Sequence, residues 1–102
     1  MKKTYGKFLK GKFKAELILT REAIWGCTDH DILPDVAADI IPNAADYVLA
    51  KNEGDRFTIA SPNLKTVVTG IVLYKDTDEL ELLVTNIYGD AYIIKGDHCI
   101  VD

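Results

Sequence analysis

The sequence predicts an α+β domain in which two short N-terminal helices pack on one face of a four- to five-stranded antiparallel sheet. Val36, Ala37, Ile40 and Ile41 recur at helical spacing, and from Tyr47 onward the apolar residues alternate with a period of two. The later connections are short and rich in Gly, Asn and Asp, which favours sequential hairpins. The length of 102 residues suits one domain, and no linker divides the chain.

The N-terminal segment is basic. Residues 1–14 contain six lysines and no acidic residue, and Gly6 and Gly11 interrupt the apolar positions. We expect residues 1–12 to form a basic arm that is loosely ordered or paired to a sheet edge, followed by a single domain over residues 13–102. Residues 13–19 predict the first short strand.

Two helices should follow this strand. Thr20, with an acidic residue in the next turn, is typical of a helix N-terminus, so a helix is predicted from Arg21 to residue 27 or 28. Pro34 favours the first turn of a second helix, whose apolar positions repeat at helical spacing until Pro42 ends or kinks it. Residues 43–46 suit either a third short helix or a loop.

The second half predicts strands. Residues 47–51 and 56–60 suggest a hairpin around Gly54, and residues 66–74 a β-branched strand with a bulge or bend at Gly70. A turn at 76–78 leads to a strand whose leucines at 80 and 82 alternate with glutamates at 79 and 81. A last strand is predicted over residues 91–95.

Several classes of protein are disfavoured by composition. No apolar run approaches the roughly 18–20 residues of a membrane span, and residues 1–12 lack the hydrophobic stretch of a signal peptide, so we predict a cytoplasmic protein that does not enter membranes. The two cysteines and two histidines lack the spacing of a metal site, and no phosphate-binding glycine loop is present. We therefore expect neither a metal nor a cofactor, and the oligomeric state is left open.

Charge is divided unevenly along the chain. Beyond residue 14, the remaining 88 residues carry 16 acidic residues against six Lys or Arg. The basic arm could contact the phosphates of RNA, and the acidic body could face a basic protein partner. Alternatively, the arm is a solvated tail that docks on its own acidic body.

A family resemblance is carried by three short stretches. They are T-R-E-A at 20–23, H-D-I at 30–32 and L-V-T-N-I-Y at 83–88. With the order of elements, they make residues 17–89 resemble the small toxin-like domains of the barnase/RelE/colicin ribonuclease superfamily. The resemblance implies a RelE/barnase-like fold and a metal-independent endoribonuclease, or a degenerate member that binds RNA or the ribosome. The chain departs from the family's T-x-H-A-x-x-R-x-x-x-R pattern at Glu22, Gly26 and His30.

Candidate catalytic residues follow from the chemistry of RNA cleavage, which needs a base, an acid and a cation. Glu22 could serve as the base, His30 as the acid and Arg56 or Arg21 as the cation, and Thr85 matches a position where family members carry a polar residue. Glu22 and His30 would lie about 12 Å apart if one helix joins them. Each of these residues also suits a structural role. Glu22 is an acid of the kind favoured at a helix start, His30 suits a loop, Arg56 a surface and Thr85 a strand.

Candidate binding residues are aromatic or cationic. Trp25 could stack on a base or anchor a partner, although such a residue commonly packs on the sheet. The remaining candidates are Arg21, Lys10, Lys12 and Tyr88.

A second functional class fits the same sequence. A small acidic domain that lacks the family's histidine and arginines could be a non-enzymatic inhibitor or immunity-type factor that blocks a basic, nucleic-acid-binding partner. Whether the protein is an enzyme is open at this point.

Overall fold

A computed structural model describes residues 3–89 and 94–101 of the chain. The strands are β1 (Lys3–Leu9), β2 (Phe13–Leu19), β3 (Arg56–Ser61), β4 (Thr66–Lys75), β5 (Glu79–Gly89) and β6 (Cys99–Ile100). The helices are α1 (Arg21–Asp29), α2 (Val36–Ile40) and α3 (Ala45–Leu49), and a 3₁₀ helix (Ile41–Ala44) joins the last two. No helix in these described ranges is long and apolar enough to cross a membrane.

The six strands form one mixed sheet in the order β1-β2-β5-β4-β3-β6. β2 runs parallel to β5 and β3 runs parallel to β6, whereas the other neighbours are antiparallel. The prediction of four or five antiparallel strands with two helices before them is therefore wrong. It treated every strand as part of a sequential hairpin, but the helical segment between β2 and β3 lets the N-terminal hairpin join the sheet beside β5, in parallel.

The N-terminal basic residues belong to this sheet. Residues 3–9 form the edge strand β1, which pairs along the whole of β2, and Gly11 adopts the positive φ that the hairpin turn requires. Pairing to a sheet edge was one of the two alternatives for this segment. This edge strand carries Lys3 and Lys7, and charged residues on an edge strand oppose its pairing with another chain.

The predicted strand at 47–51 is also wrong. Residues 45–49 form helix α3, in which Ala45 and Val48 are buried three positions apart. A short apolar run such as Y-V-L is ambiguous between helix and strand, and the preceding 3₁₀ helix continues directly into α3. As predicted for Pro42, α2 ends at Ile40 just before it, and a 3₁₀ helix then continues the helical segment.

Local predictions in other segments are confirmed. Thr20 caps α1, accepting a hydrogen bond from the Ala23 amide, and the helix ends within two residues of its predicted end. The register of β4 and β5 shifts between Thr69 and Gly70, where a bulge was expected. The alternation in β5 is also as predicted, with Leu80 and Leu82 buried and Glu79 and Glu81 exposed.

The hydrophobic core lies between the sheet and the helices. Its largest fully buried side chains include Phe57, Leu17, Leu82 and Ile40. The segment 41–49 reaches both ends of the sheet: Asp46 pairs with Lys10 of the β1–β2 turn, and the Tyr47 hydroxyl accepts a hydrogen bond from the Thr58 amide of β3. These two contacts attach the helical segment both to the N-terminal hairpin and to β3.

A polar cluster ties the C-terminal segment to α3. Asp97 accepts hydrogen bonds from Lys51 and from the Tyr47 hydroxyl. These bonds, first the one from Lys51, hold the pKa of Asp97 below its usual value. The predicted strand at 91–95 falls mostly outside the described residues, and residues 94–95 are not in a strand.

Candidate functional site

The four predicted catalytic residues lie on three elements of the structure: α1 with its C-cap, β3 and β5. Glu22 lies in the first turn of α1 and His30 follows its last residue, and both are exposed. Eight residues at 1.5 Å each separate them by about 12 Å along the helix. A base and an acid must each reach hydrogen-bond contact with the same phosphodiester, and an axial separation of about 12 Å disfavours that arrangement.

The other two residues lie on different strands. Thr85 is the extra residue of the bulge in β5; its hydroxyl donates to the Thr69 carbonyl, and its own carbonyl accepts from the Thr20 hydroxyl. Arg56 opens β3, on the far side of β4, so about 10 Å of sheet lies between the two backbones. Thr85 therefore stabilises the junction of α1 with the sheet.

The predicted binding residues have diverse surroundings. Trp25 is 58% exposed, so it does not pack on the sheet; the Arg21 guanidinium lies 5.7 Å from its ring centroid. Lys10 pairs with Asp46, and the Lys12 ammonium lies 5.0 Å from the centroid of the adjacent Phe13 ring. The last of the set, Tyr88, is half-buried and pairs with Val67 across β4 and β5.

No group of three or more His, Cys, Asp or Glu in the described part of the chain is arranged to hold a metal ion. Cys27 and Cys99 are free thiols, and burial, aided by the nearby Asp35 charge, raises the pKa of Cys27. A buried thiol with a raised pKa is a poor nucleophile, because the thiolate is the reactive form.

The helical layer of the protein is acidic throughout. Residues 22–50, which contain all three α-helices except Arg21, include six acidic residues and no Lys or Arg. All six are exposed, and the set comprises Glu22, Asp29, Asp31, Asp35, Asp39 and Asp46. Only Asp46 makes an ion pair within the described residues. The other five carboxylates leave a surface of uncompensated negative charge.

A groove opens in this acidic surface between the α1–α2 connection and the β3–β4 turn. Its apolar lining consists of Ile32, Leu33, Val36 and Leu64. Three aspartates at four-residue intervals, Asp31, Asp35 and Asp39, also line it, and no Lys or Arg does. Leu33 and Leu64 are 74% and 51% exposed, respectively. Apolar side chains this exposed, side by side and rimmed by charge, are typical of interaction surfaces.

This groove was not predicted from the sequence. The four-residue spacing of the three aspartates was a usable signal for α2, since residues four apart share a helix face. Leu64 gave no such signal, because it lies in the turn at 62–65 and is 31 positions from Leu33. Only the packing of the β3–β4 turn against the start of α2 brings the two leucines together.

Comparison of the chain with protein-family models, with curated proteins and with solved structures found no match in any of the three.

Proposed function

We propose that this protein is a non-enzymatic binding domain whose acidic helical layer engages a basic, nucleic-acid-binding protein partner and blocks it. The observation that carries the proposal is the absence of Lys and Arg from residues 22–50 combined with six exposed carboxylates there. Proteins that bind nucleic acids present clustered Lys and Arg to phosphates, so an acidic surface is complementary to them.

The separation of Glu22, His30, Arg56 and Thr85 supports a binding function over catalysis. Metal-independent cleavage of RNA needs its base, acid and cation around one phosphate. In this chain the candidate base and acid are about 12 Å apart along α1, and the Thr85 hydroxyl is committed to a backbone hydrogen bond.

The electrostatics also discriminate between partners. Exposed charges act over a Debye length of about 8 Å at physiological ionic strength, and neighbouring carboxylates on one surface reinforce one another within that range. Such a surface accelerates encounter with a cationic partner and opposes encounter with phosphates. Binding of this kind should weaken as salt rises.

The test measures binding of a fluorescent oligolysine peptide by anisotropy, at low and at physiological salt. We expect salt-sensitive binding that Asp35→Asn/Asp39→Asn weakens. The side chain of Asp35 makes no capping hydrogen bond to α2, so this substitution should not disturb the helix. The matched control is Glu79→Gln/Glu81→Gln, two exposed carboxylates on alternate positions of β5.

Two results would contradict the proposal. The first is the absence of oligolysine binding. The second is equal weakening of that binding by the two double variants, which would show that binding depends on the net charge of the protein and not on a defined surface. The blocking step is tested separately, by asking whether the protein displaces single-stranded RNA from the same peptide.

RNA is the second candidate partner, and one observation favours it. Five of the chain's lysines, at positions 3, 7, 10, 12 and 14, lie on the β1–β2 hairpin. An RNA partner is also what the resemblance to ribonuclease toxins implies for this chain. RNA binding that Lys10→Gln/Lys12→Gln removes, or cleavage in EDTA that Glu22→Ala/His30→Ala/Arg56→Ala abolishes, would favour this candidate over the first.

The cytoplasm remains the proposed location. Both cysteines of the chain are free thiols, and reducing compartments keep thiols in that state.

A further inference from the structure

The groove between the α1–α2 connection and the β3–β4 turn has two properties that together restrict what can bind it. Its floor is apolar and its two leucines, Leu33 and Leu64, are exposed beyond half their surface. Its rim is anionic, with carboxylates at Asp31, Asp35 and Asp39 and no cation among the lining residues. An apolar occupant alone would leave the rim charges partly desolvated, and a purely cationic one would leave the leucines in water.

The spacing of the rim charges specifies the occupant further. Asp35 immediately precedes α2 and Asp39 lies in it, four residues on, so their positions are about 6 Å apart along the helix axis. Lys or Arg residues at positions i and i+4 of a second helix are spaced by the same distance. Apolar residues at i+3 and i+7 of that helix would share the face that meets the leucines.

An added β-strand is a poorer fit. Strand addition requires a free sheet edge whose amides and carbonyls can pair with the incoming chain. The groove is bordered by α2 and by the turn between β3 and β4, and β4 already pairs with a strand on each side. The groove therefore does not present the free backbone amides and carbonyls that strand addition needs.

We propose that this groove binds a basic amphipathic helix of the partner protein, with the helix's apolar residues on Leu33 and Leu64 and its Lys or Arg residues against Asp35 and Asp39. The proposal rests on the proposed function, since it names the segment by which a basic partner would be held. It adds a requirement that charge alone does not impose, namely that the apolar residues of the partner lie on one side of a helix.

The experiment compares three labelled peptides by anisotropy. The first is a lysine/leucine peptide with its leucines on one helical face, the second has the same composition in scrambled order, and the third is oligolysine. Each is titrated with the wild type, with Leu33→Ser/Leu64→Ser and with the control Leu73→Ser. Leu73 is a similarly exposed leucine on β4 and does not line the groove.

We expect the amphipathic peptide to bind about tenfold more tightly than the scrambled one, as burial of two leucine-sized groups allows. The groove variant should remove that advantage and leave oligolysine binding unchanged, whereas the control should alter neither. Backbone amide shifts on addition of the amphipathic peptide should be largest at residues 31–39 and 64–66, which locates binding in the wild-type protein itself.

The outcomes separate the two proposals. Equal affinity for the ordered and scrambled peptides, or no effect of the groove variant, overturns the groove even if oligolysine still binds through the aspartates. The groove is also overturned if the groove variant loses the preference for the amphipathic peptide but the backbone amides of residues 31–39 in the wild type do not shift when that peptide is added. If no peptide binds, the groove and the proposed function both fail.

Discussion

The substitution Tyr47→Phe tests how α3 is attached to the rest of the domain. The Tyr47 hydroxyl accepts a hydrogen bond from the Thr58 amide at 3.1 Å and donates one to the Asp97 carboxylate at 2.7 Å. β6 pairs with β3 only at residues 59 and 60, so Thr58 lies beyond the end of that pairing and relies on the tyrosine. Phenylalanine fills the same space but leaves the partly buried Thr58 amide without its partner.

The expected cost is about 2 kcal/mol. A buried donor that loses its acceptor costs roughly 1–3 kcal/mol, and the hydrogen bond to the exposed Asp97 adds little because water replaces it. The free energy of unfolding is measured by urea denaturation followed by circular dichroism, with the slope m required to match the wild type.

Tyr5→Phe is the matched control for this measurement. The Tyr5 ring is half-buried on β1, and its hydroxyl makes no hydrogen bond within the described residues. We expect that variant to stay within about 0.5 kcal/mol of the wild type. If Tyr47→Phe costs no more than Tyr5→Phe, the hydroxyl does not hold α3 to β3 and the reasoning is refuted.

Two further predictions concern packing and pH. Gly70→Ala should destabilise the protein by roughly 1–3 kcal/mol, because a Cβ there would lie 2.2 Å from the Leu83 carbonyl oxygen and 2.4 Å from the Phe57 ring; Gly6→Ala, with nothing within 4 Å, should be nearly neutral in the same urea titration. For Asp97, the lowered pKa in the folded state means that its contribution is present above the unfolded pKa near 3.8 and is lost as pH falls through the lower folded value. The urea midpoints of wild type and Asp97→Asn should therefore differ at pH 6 and converge toward pH 2.5, and a constant difference across that range would contradict the assigned role.

The features that were predictable from the sequence are those set by near neighbours in the chain. The Thr20 cap depends on an amide three residues away, and the alternation of β5 depends on the period of a single strand. Both were identified correctly because the physical interactions that produce them are local. The uneven division of charge between residues 1–14 and the rest of the chain was likewise visible as composition.

The errors in the predicted fold came from longer-range choices. Residues 47–49 have strand-forming side chains, yet they are helical because burial of Val48 beside Ala45 favours continuation of the 3₁₀ helix. The parallel pairing of β2 with β5 joins segments more than sixty residues apart. The sequence of one strand does not distinguish a parallel neighbour from an antiparallel one. The direction of pairing depends on which strands lie at its two edges and on what covers its two faces.

The candidate site shows the same division. By itself the sequence determined a basic N-terminal segment, an acidic remainder and the four-residue spacing of the aspartates at 31, 35 and 39. Only the tertiary structure decided that Arg56 lies two strands away from Thr85 and that Leu33 and Leu64 line one acidic groove. Spacing along one helix is a local property of the backbone, whereas the meeting of a loop with a distant turn depends on which surfaces the core leaves free to pack.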